Sequence, residues 1–302
     1  MKKILLYASP LLLLILPGCL LPTKRKLPIP KAPDAVITAT AEELVAHLNE
    51  RWSHFDTLNA TVEIKASMTK SKEGITKDYP VFRGHILMRK PSMLRVLGQY
   101  PVVGGRMFDL TSDGSTYTLY IPPRGKAIKG SNKSHKRSAT LEENLRPNTF
   151  FDAMIVRGLD AADLYAVTAD TVTLEDASRK HLFLTPEYIL SIMRQKPGSL
   201  ELQPVRVVYF HREDLLPYEQ DLYDVDGNLE TQVFYSKYSK TGDEMYPGVV
   251  IIKRPIEEYQ LILTVEKVVA NMQLSDDQFQ IKVPSGTIIQ QIGSGAQGKS
   301  AN

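Results

Sequence analysis

The sequence predicts a mainly β protein, in which a curved antiparallel sheet carries a few helices on one face. The first observation is the strict alternation of apolar and polar residues across 58–68 and again across 259–266, which is the period of a strand with one wet face. The second is the stretch 82–123, which reads as four strands joined by short connections, one of them the Asp113-Gly114 turn. Roughly ten strands share an apolar face, and about three short helices are available to cover it. Further strands are predicted at 165–174, 181–194, 205–211, 218–223, 230–237, 249–253 and 279–283.

The N-terminus has the pattern of a lipoprotein signal. Lys2 and Lys3 form a basic start, and residues 4–16 form an apolar run that is too short to span a bilayer. Small residues then precede Cys19, the only cysteine in the chain. We therefore expect residues 1–18 to be a signal peptide and Cys19 to be lipidated. That leaves no cysteine for a disulfide, a nucleophile or a zinc site.

Residues 19–39 contain several prolines and are expected to form an extended, lipidated tether. Two or more acyl chains on Cys19 would hold the protein stably at a membrane without a spanning segment. Leu20 follows the cysteine, where an aspartate would favour retention in the inner membrane of a diderm bacterium. The expected location is the periplasmic face of the outer membrane, with the protein anchored by lipid.

The charge balance argues against nucleic acid as a partner. Removing Lys2 and Lys3 from the 37 basic residues leaves 35 against 34 acidic residues. A nucleic-acid-binding protein needs a clear excess of positive charge. The remaining chain is close to neutral, so no nucleic acid is expected.

Residues 40–292 are expected to form a single domain, and residues 293–302 a flexible tail. A capping box that begins at Thr40 predicts an N-terminal helix with an apolar stripe. Thr140 and Asn148 are expected to start two further short helices that interrupt the strands.

A basic stretch at 124–137 contains no acidic residue. Arg124, Lys126 and Lys129 are candidates for contacts with phosphate head groups. The alternative is a mobile, solvated loop, because glycine, serine and asparagine are frequent in this stretch.

Motifs for catalysis and for metal binding are not supported. The six histidines show no metal-ligand spacing. The glycine-rich stretch 293–298 lacks a surrounding βαβ unit. The acidic turn that begins at Asp224 lacks the glycine and the glutamate that a calcium loop requires. We therefore expect no enzymatic activity, no cofactor and no metal.

The apolar face of the sheet leaves two interpretations open. A curved sheet with an incomplete helical cover leaves an apolar concavity that can hold a ligand. Alternatively, the side chains of the protein fill that space completely, and nothing binds there.

Several motifs, taken in their order along the chain, carry a resemblance to a known family. They are Gly84, Arg89-Lys90-Pro91, Ser112-Asp113-Gly114, Tyr120-Ile121-Pro122, Asp277-Gln278-Phe279 and Val283-Pro284-Ser285-Gly286. Over about residues 41–290 the chain resembles LolA and LolB, a lipoprotein carrier and receptor family. The resemblance implies an unclosed β half-barrel with a helical lid over a hydrophobic cavity that takes acyl chains. Since the receptor is lipid-anchored and the carrier is soluble, the predicted lipidation favours a LolB-like protein.

The resemblance also implies site residues. Lys90 stands where the carrier has an arginine that contacts the lid, and a lysine lacks the planar fork of that arginine. Lys90 and Leu94 are expected at the lid or the cavity mouth. The membrane-inserting loop of the receptor corresponds to Pro101, Val102, Val103 and Gly104. The alternative for this loop is that its two valines fold back onto the core.

The expected function is therefore the binding of acyl chains in a hydrophobic cavity, in lipoprotein sorting or insertion at the outer membrane. The membrane and the acyl chains of lipoproteins or lipids are the expected partners. The alternative is a non-catalytic structural or scaffolding lipoprotein, which docks an envelope protein through a sheet edge or the loop at Val103. An envelope hydrolase is a third hypothesis, and it would need titratable groups clustered in a pocket.

Overall fold

The computed structural model of the chain describes residues 29–101, 104–132, 140–175 and 181–292. The α-helices in these ranges are α1 (Ala41–Ser53), α2 (Leu141–Asn144) and α3 (Pro147–Met154). The strands are β1 (Thr57–Lys70), β2 (Ile75–Asp78), β3 (Phe82–Arg89), β4 (Met93–Gln99), β5 (Arg106–Ser112), β6 (Thr116–Ile121), β7 (Lys126–Ser131), β8 (Asp163–Glu175), β9 (Leu182–Gln195), β10 (Leu202–His211), β11 (Pro217–Tyr223), β12 (Leu229–Thr241), β13 (Glu244–Arg254), β14 (Tyr259–Ala270) and β15 (Ile288–Ile292).

All of these strands belong to one sheet. Its order is β15-β7-β6-β5-β4-β3-β1-β14-β13-β12-β11-β10-β9-β8, with β2 paired to β1. Neighbours are antiparallel except β15 and β7, which are parallel. β15 and β8 lie at opposite ends of this order, so the curved sheet is not closed. The mainly β, unclosed architecture predicted from the sequence is confirmed.

One face of the sheet, here named the inner face, carries the apolar residues of the alternating pattern. On β3 this face bears Phe82, Ile86 and Met88, all of which are buried. The same alternation places buried apolar residues on β1, β4, β9, β10, β12 and β13. At Gly84 a Cβ atom would lie 2.6 Å from Cδ1 of Ile64, so only glycine lets the two strands approach this closely.

Helix α1 begins at the predicted capping box. The Thr40 side chain accepts from the backbone N–H of Glu43, whose carboxylate in turn accepts from the backbone N–H of Thr40. Leu44 and Leu48 are fully buried in the core. The predicted start and apolar stripe of this helix are confirmed.

The opposite face, here named the outer face, is covered near β3–β5 by the segment after β14. A strand was predicted at 279–283, and this prediction is wrong. Asp276–Phe279 is a 3-10 turn instead, because Ser275 and Gln278 form a capping box. Phe279 is buried, and the Arg89 guanidinium lies 5.2 Å from the centre of its ring.

Two further expectations are corrected. Lys126–Ser131 is a strand rather than part of a loop, because it pairs with β6 on one side and β15 on the other. Helix α3 starts after Arg146, with Pro147 in its first turn, and so Asn148 is not its cap. Strands β2, β7 and β15 were not predicted, because their sequences do not alternate between apolar and polar residues as those of the other strands do.

Part of the predicted tether pairs with the sheet. The Lys31 backbone N–H donates to the Leu182 carbonyl over 2.8 Å, and the Leu184 N–H donates to the Lys31 carbonyl over 2.8 Å. Further along, the Ile37 N–H donates to the Arg212 carbonyl. Residues 1–28, which include Cys19, and the tail at 293–302 lie outside the described residues.

Candidate functional site

Residues 140–159, here named the cover segment, lie against the inner face of the sheet. Helix α3 contacts β4, β5 and β13. Its side chains Phe150, Phe151 and Met154 are 1%, 3% and 1% exposed. The cover segment therefore fills the concave side of the sheet with its own aromatic and aliphatic groups.

Three contacts tie the middle of the cover segment to its surroundings. The Tyr246 hydroxyl donates to the Met154 carbonyl over 2.9 Å. The Gln220 side-chain amide donates to the Asp152 carbonyl over 2.6 Å. The Trp52 and Phe151 rings meet edge to face, with 6.5 Å between their centroids. These few contacts fix the segment to β11, β13 and α1.

Charged groups lie against the cover segment at its N-terminal end and beside Trp52. Lys126 Nζ lies 2.6 Å from Glu143 Oε1, and Arg124 pairs with Glu142 at 3.4 Å. Lys90 Nζ donates to the Trp52 carbonyl and lies 3.9 Å from the centre of the Trp52 ring, which itself contacts the segment. Partial burial lowers the pKa of Lys90.

The open apolar cavity expected from the sequence is not present among the described residues. The apolar space between α3 and the strands has a volume of about 20 Å³, and it is lined by Phe55, Met154 and Tyr246 among others. A cavity of this size is far below the 300–1,000 Å³ of ordinary ligand pockets. The packed side chains of the cover segment are the physical reason for the difference.

A large cavity does occur beside the cover segment, and it is polar. Its volume is about 550 Å³, and it lies where the inner face of β9–β13 meets the cover segment. We name it the charged cavity. The charged side chains that line it are Arg146, Arg157, Arg194, Arg206 and Arg254, with Asp152, Asp160, Asp163 and Glu230.

Most of these charges pair with one another. Arg194 binds both Asp160 and Asp163. Arg254 is 3% exposed and binds Glu230 and Glu257, at 3.1 and 2.7 Å. These pairs give the walls of the charged cavity a fixed arrangement.

Burial shifts the pKa of two side chains in the charged cavity. Asp152 Oδ1 lies 2.6 Å from Arg157 Nε, yet burial raises the pKa of the Asp152 carboxyl, against the opposing effect of Arg157 and Arg206. Arg206 is 5% exposed, and burial lowers the pKa of its guanidinium. Its Nη2 donates to the Gly158 carbonyl over 2.5 Å.

No protein-family model matches the sequence, and no curated protein matches it either. Among solved structures, the chain is similar to a LolA superfamily protein from Nitrosomonas europaea, with a TM-score of 0.50 and 14% identity over 81% of this chain and 99% of the other. The chain has a LolA-like fold. The resemblance found in the sequence is thus supported for the LolA-like fold, and LolB specifically is not shown.

Two other solved structures are similar at lower scores. A domain from Vibrio parahaemolyticus, named an outer membrane lipoprotein-sorting protein, gives a TM-score of 0.46 at 13% identity, covering 78% of this chain and 94% of that domain. A DUF1329 family protein from Desulfovibrio piger gives 0.43 at 15% identity, with the same two coverages of 78% and 94%.

Within this LolA-like fold, Lys90 and Leu94, the two residues predicted at the lid or cavity mouth, lie in different surroundings. Lys90 contacts α1 beside the cover segment, as described above. Leu94 is fully buried in the core on β4, so it belongs to the packed wall of the sheet and not to a rim.

The predicted membrane loop is described only at its two ends. Pro101 and Gly104 are exposed. Gly104 has a φ of 63°, and its backbone N–H donates to the Tyr100 carbonyl. Val102 and Val103 lie outside the described residues.

The three residues predicted to contact lipid head groups also lie in different surroundings. Arg124 and Lys126 are engaged with carboxylates of the cover segment, which makes them structural ties in this arrangement. Lys129 is exposed on β7.

Sequence reasoning missed the arginines of the charged cavity. On β9, β10 and β13 the side chains that point to the inner face alternate along the strand and are mostly apolar. Near one end of each strand, an arginine takes the place of the apolar residue in this alternation. These arginines are Arg194, Arg206 and Arg254. An arginine in phase with buried apolar residues is the signal that could have revealed this site.

The described residues contain neither a metal-binding cluster nor a helix that could span a membrane. No group of three or more histidine, cysteine, aspartate or glutamate side chains there is arranged to hold a metal ion. The helices in the same ranges are too short or too polar to cross a membrane.

Proposed function

We propose that this protein is a lipid-anchored, LolB-like envelope protein that binds acyl chains of lipoproteins or lipids on the inner face of its sheet. In this proposal Cys19 anchors it at the periplasmic face of the outer membrane, where it serves lipoprotein sorting or insertion. Catalysis is not part of the proposal. The cover segment acts as its lid.

The observation that carries the proposal is the way the cover segment fills the concave side. Phe150, Phe151 and Met154 occupy an apolar surface that the curved sheet would otherwise expose. An acyl chain gains about 0.8 kcal/mol for each buried CH₂ group. A chain of ordinary length can therefore replace these side chains on the sheet and offset the loss of their packing.

The ties of the cover segment suit such a displacement. Its N-terminal end is held by side-chain ion pairs, as at Lys126 and Glu143, and its C-terminal end by the Leu159 N–H, which donates to Asn49 Oδ1. Partly exposed ion pairs contribute up to about 1 kcal/mol each. The fold supports the proposal as well, since the similar structure from Nitrosomonas europaea is a LolA superfamily protein.

In the same proposal the loop from Pro101 to Gly104 inserts into the membrane. The exposure of its two described ends is compatible with contact to a bilayer. Lys129 provides an exposed cation for lipid head groups on the neighbouring part of the sheet.

A fluorescence experiment tests the proposed binding. Trp52 is the only tryptophan in the chain, and its ring touches Phe151 of the cover segment. Dibromostearic acid, whose bromine atoms quench tryptophan on contact, should quench Trp52 when it binds to the inner face. Unbrominated stearic acid is the matched control and should compete without quenching.

The outcomes separate the two candidate functions. Saturable quenching that stearic acid reverses supports acyl-chain binding beside Trp52. If calorimetry and fluorescence both show no binding, the acyl-chain function is wrong and the scaffolding alternative remains. Crosslinking from position 103 in native envelopes then distinguishes a lipid adduct from a protein adduct.

A further inference from the structure

The charged cavity contains a cation for which the protein provides no matching anion. Arg206 is 5% exposed, and the Gly158 carbonyl takes one of its five N–H donors. No carboxylate of the described residues lies within 4.0 Å of this guanidinium. Asp152 and Asp163 act on it only over a longer distance. A buried charge without a partner is costly in an otherwise folded protein.

The neighbouring carboxylates are occupied elsewhere. Asp160 and Asp163 are both bound by Arg194, and Glu230 is bound by Arg254. Asp152 lies against Arg157. The carboxylates that line the cavity beside Arg206 are therefore each held by another arginine.

A second arginine adds positive charge beside Arg206. Arg157 lies close enough to Arg206 that each disfavours the charge of the other, and Asp152 is the carboxyl between them in electrostatic reach of both. An anion that binds between the buried guanidinium of Arg206 and the partly exposed guanidinium of Arg157 would accept charge-assisted hydrogen bonds from both.

The size of the cavity indicates what kind of anion fits. About 550 Å³ lies within the range of pockets that bind small organic molecules, and it is larger than a bare phosphate ion needs. Arginine forks match the oxygens of phosphate in paired hydrogen bonds.

We propose that the charged cavity binds a phosphate group, with Arg206 and Arg157 as its ligands. The phosphate can belong to a lipid head group or to a free phosphorylated molecule. Asp152 lines the same space. The site is distinct from the apolar surface beneath Phe150, and because Arg157 belongs to the cover segment, phosphate binding is tested without a long acyl chain.

Calorimetric titration of the purified full chain tests the site with three phosphate probes. These are inorganic phosphate, glycerol 3-phosphate and water-soluble dihexanoyl phosphatidic acid, with dihexanoyl glycerol as the phosphate-free control. We expect at least one phosphate probe to bind and the control to bind at least about tenfold more weakly. Tighter binding of phosphatidic acid identifies a lipid head group, and equal binding of all three identifies free phosphate.

Variants of the two arginines decide the assignment. Arg206→Gln should weaken the binding of every phosphate probe by about tenfold or more, and Arg206→Lys should restore part of it. Asp152→Asn should leave the binding unchanged or tighten it, because it removes the negative charge. Arg83→Gln, an exposed arginine on the outer face, is the matched control and should bind as the unchanged protein does.

Stability and acyl-chain binding provide independent checks. Without phosphate, Arg206→Gln should unfold at the same temperature as the unchanged protein or higher, because an uncompensated buried charge is removed. A large loss of stability would overturn the proposal, as would unaltered phosphate binding or the failure of every phosphate probe to bind. Quenching of Trp52 by dibromostearic acid should persist in Arg206→Gln, so failure of the phosphate site is distinguishable from failure of acyl-chain binding.

Discussion

Buried charge is treated differently in the two halves of the sheet. On the outer face of β5, the Asp109 carboxylate is fully buried and accepts two hydrogen bonds from Arg95, of 2.9 and 2.8 Å. It also forms an ion pair with Arg106 at 3.2 Å. In the charged cavity, Arg206 is almost as deeply buried, but its hydrogen bond goes to a neutral carbonyl. The buried charge on β5 is paired within the protein. The buried charge of Arg206 has no carboxylate within ion-pair distance among the described residues, and a ligand can supply an anion.

This difference separates structural from functional groups in a fold without catalytic motifs. A buried charge with excellent partners contributes to one fixed arrangement, and removing a partner is strongly destabilising. A buried charge without such partners is a candidate for ligand binding, because its cost must be offset by something.

The largest effect is expected in the packed half. Phe150→Ala removes a side chain that is 1% exposed from the contact between the cover segment and the sheet. The free energy of unfolding should fall by about 3–5 kcal/mol in urea denaturation. Asn148→Ala, on the exposed side of the same helix, is the matched control and should change stability by less than about 0.5 kcal/mol. Similar effects of the two changes would mean that the cover segment is not packed as described.

Asp109→Asn should be the next largest. The change leaves Arg95 facing a neutral amide beneath the segment that covers the outer face, and the free energy of unfolding should fall by about 3 kcal/mol. The control is Asp276→Asn, at an exposed carboxylate that pairs with Arg89. A loss no greater than that of the control would remove the contrast between the two halves.

Lys90→Met should have a smaller effect on stability and a visible effect on kinetics. It removes the cation over the Trp52 ring and the bond to the Trp52 carbonyl, which together contribute about 0.5–1 kcal/mol. Stopped-flow quenching of Trp52 by dibromostearic acid should become faster, because the cover segment is released more easily. Lys129→Met, at an exposed lysine away from α1, should leave the rate unchanged. Slower uptake in Lys90→Met would contradict a role in holding the segment closed.

A fourth change alters the pH dependence of stability. Burial, together with the nearby Asp221, raises the pKa of Glu219 from 4.5 to about 7. The folded state then holds a proton that the unfolded state has lost, so stability should decrease as pH rises from about 4.5 to 7. Glu219→Gln should flatten this part of the pH dependence of the free energy of unfolding. A slope unaltered by the substitution would show that Glu219 is not its source.

Much of the fold follows from local patterns. The alternation at 58–68 and the Asp113-Gly114 turn predicted β1 and the β5–β6 hairpin, because one buried face and a positive φ are properties of short segments. The capping box at Thr40 predicted the start of α1 for the same reason. Strands β7 and β15 escaped prediction, since their parallel pairing joins segments more than 150 residues apart.

The candidate site was harder to predict. The basic residues at Arg124 and Lys126 looked solvated in sequence, and only the fold brings them to carboxylates of the cover segment. The aromatic residues of α3 predicted an apolar helix face but not that it fills the concavity. Arg157 and Arg206 are separated along the chain by two strands, and neither belongs to a recognisable motif.

Hydrogen exchange of the cover segment tests the central claim most directly. The amides of α3 should exchange faster when the protein is saturated with stearic acid, because the acyl chain takes the place of Phe150 and Phe151 on the inner face. The amides of β1 should exchange at the same rate with and without the ligand. Acyl chains that bind at saturation while the exchange of α3 stays constant or slows would contradict the proposed lid.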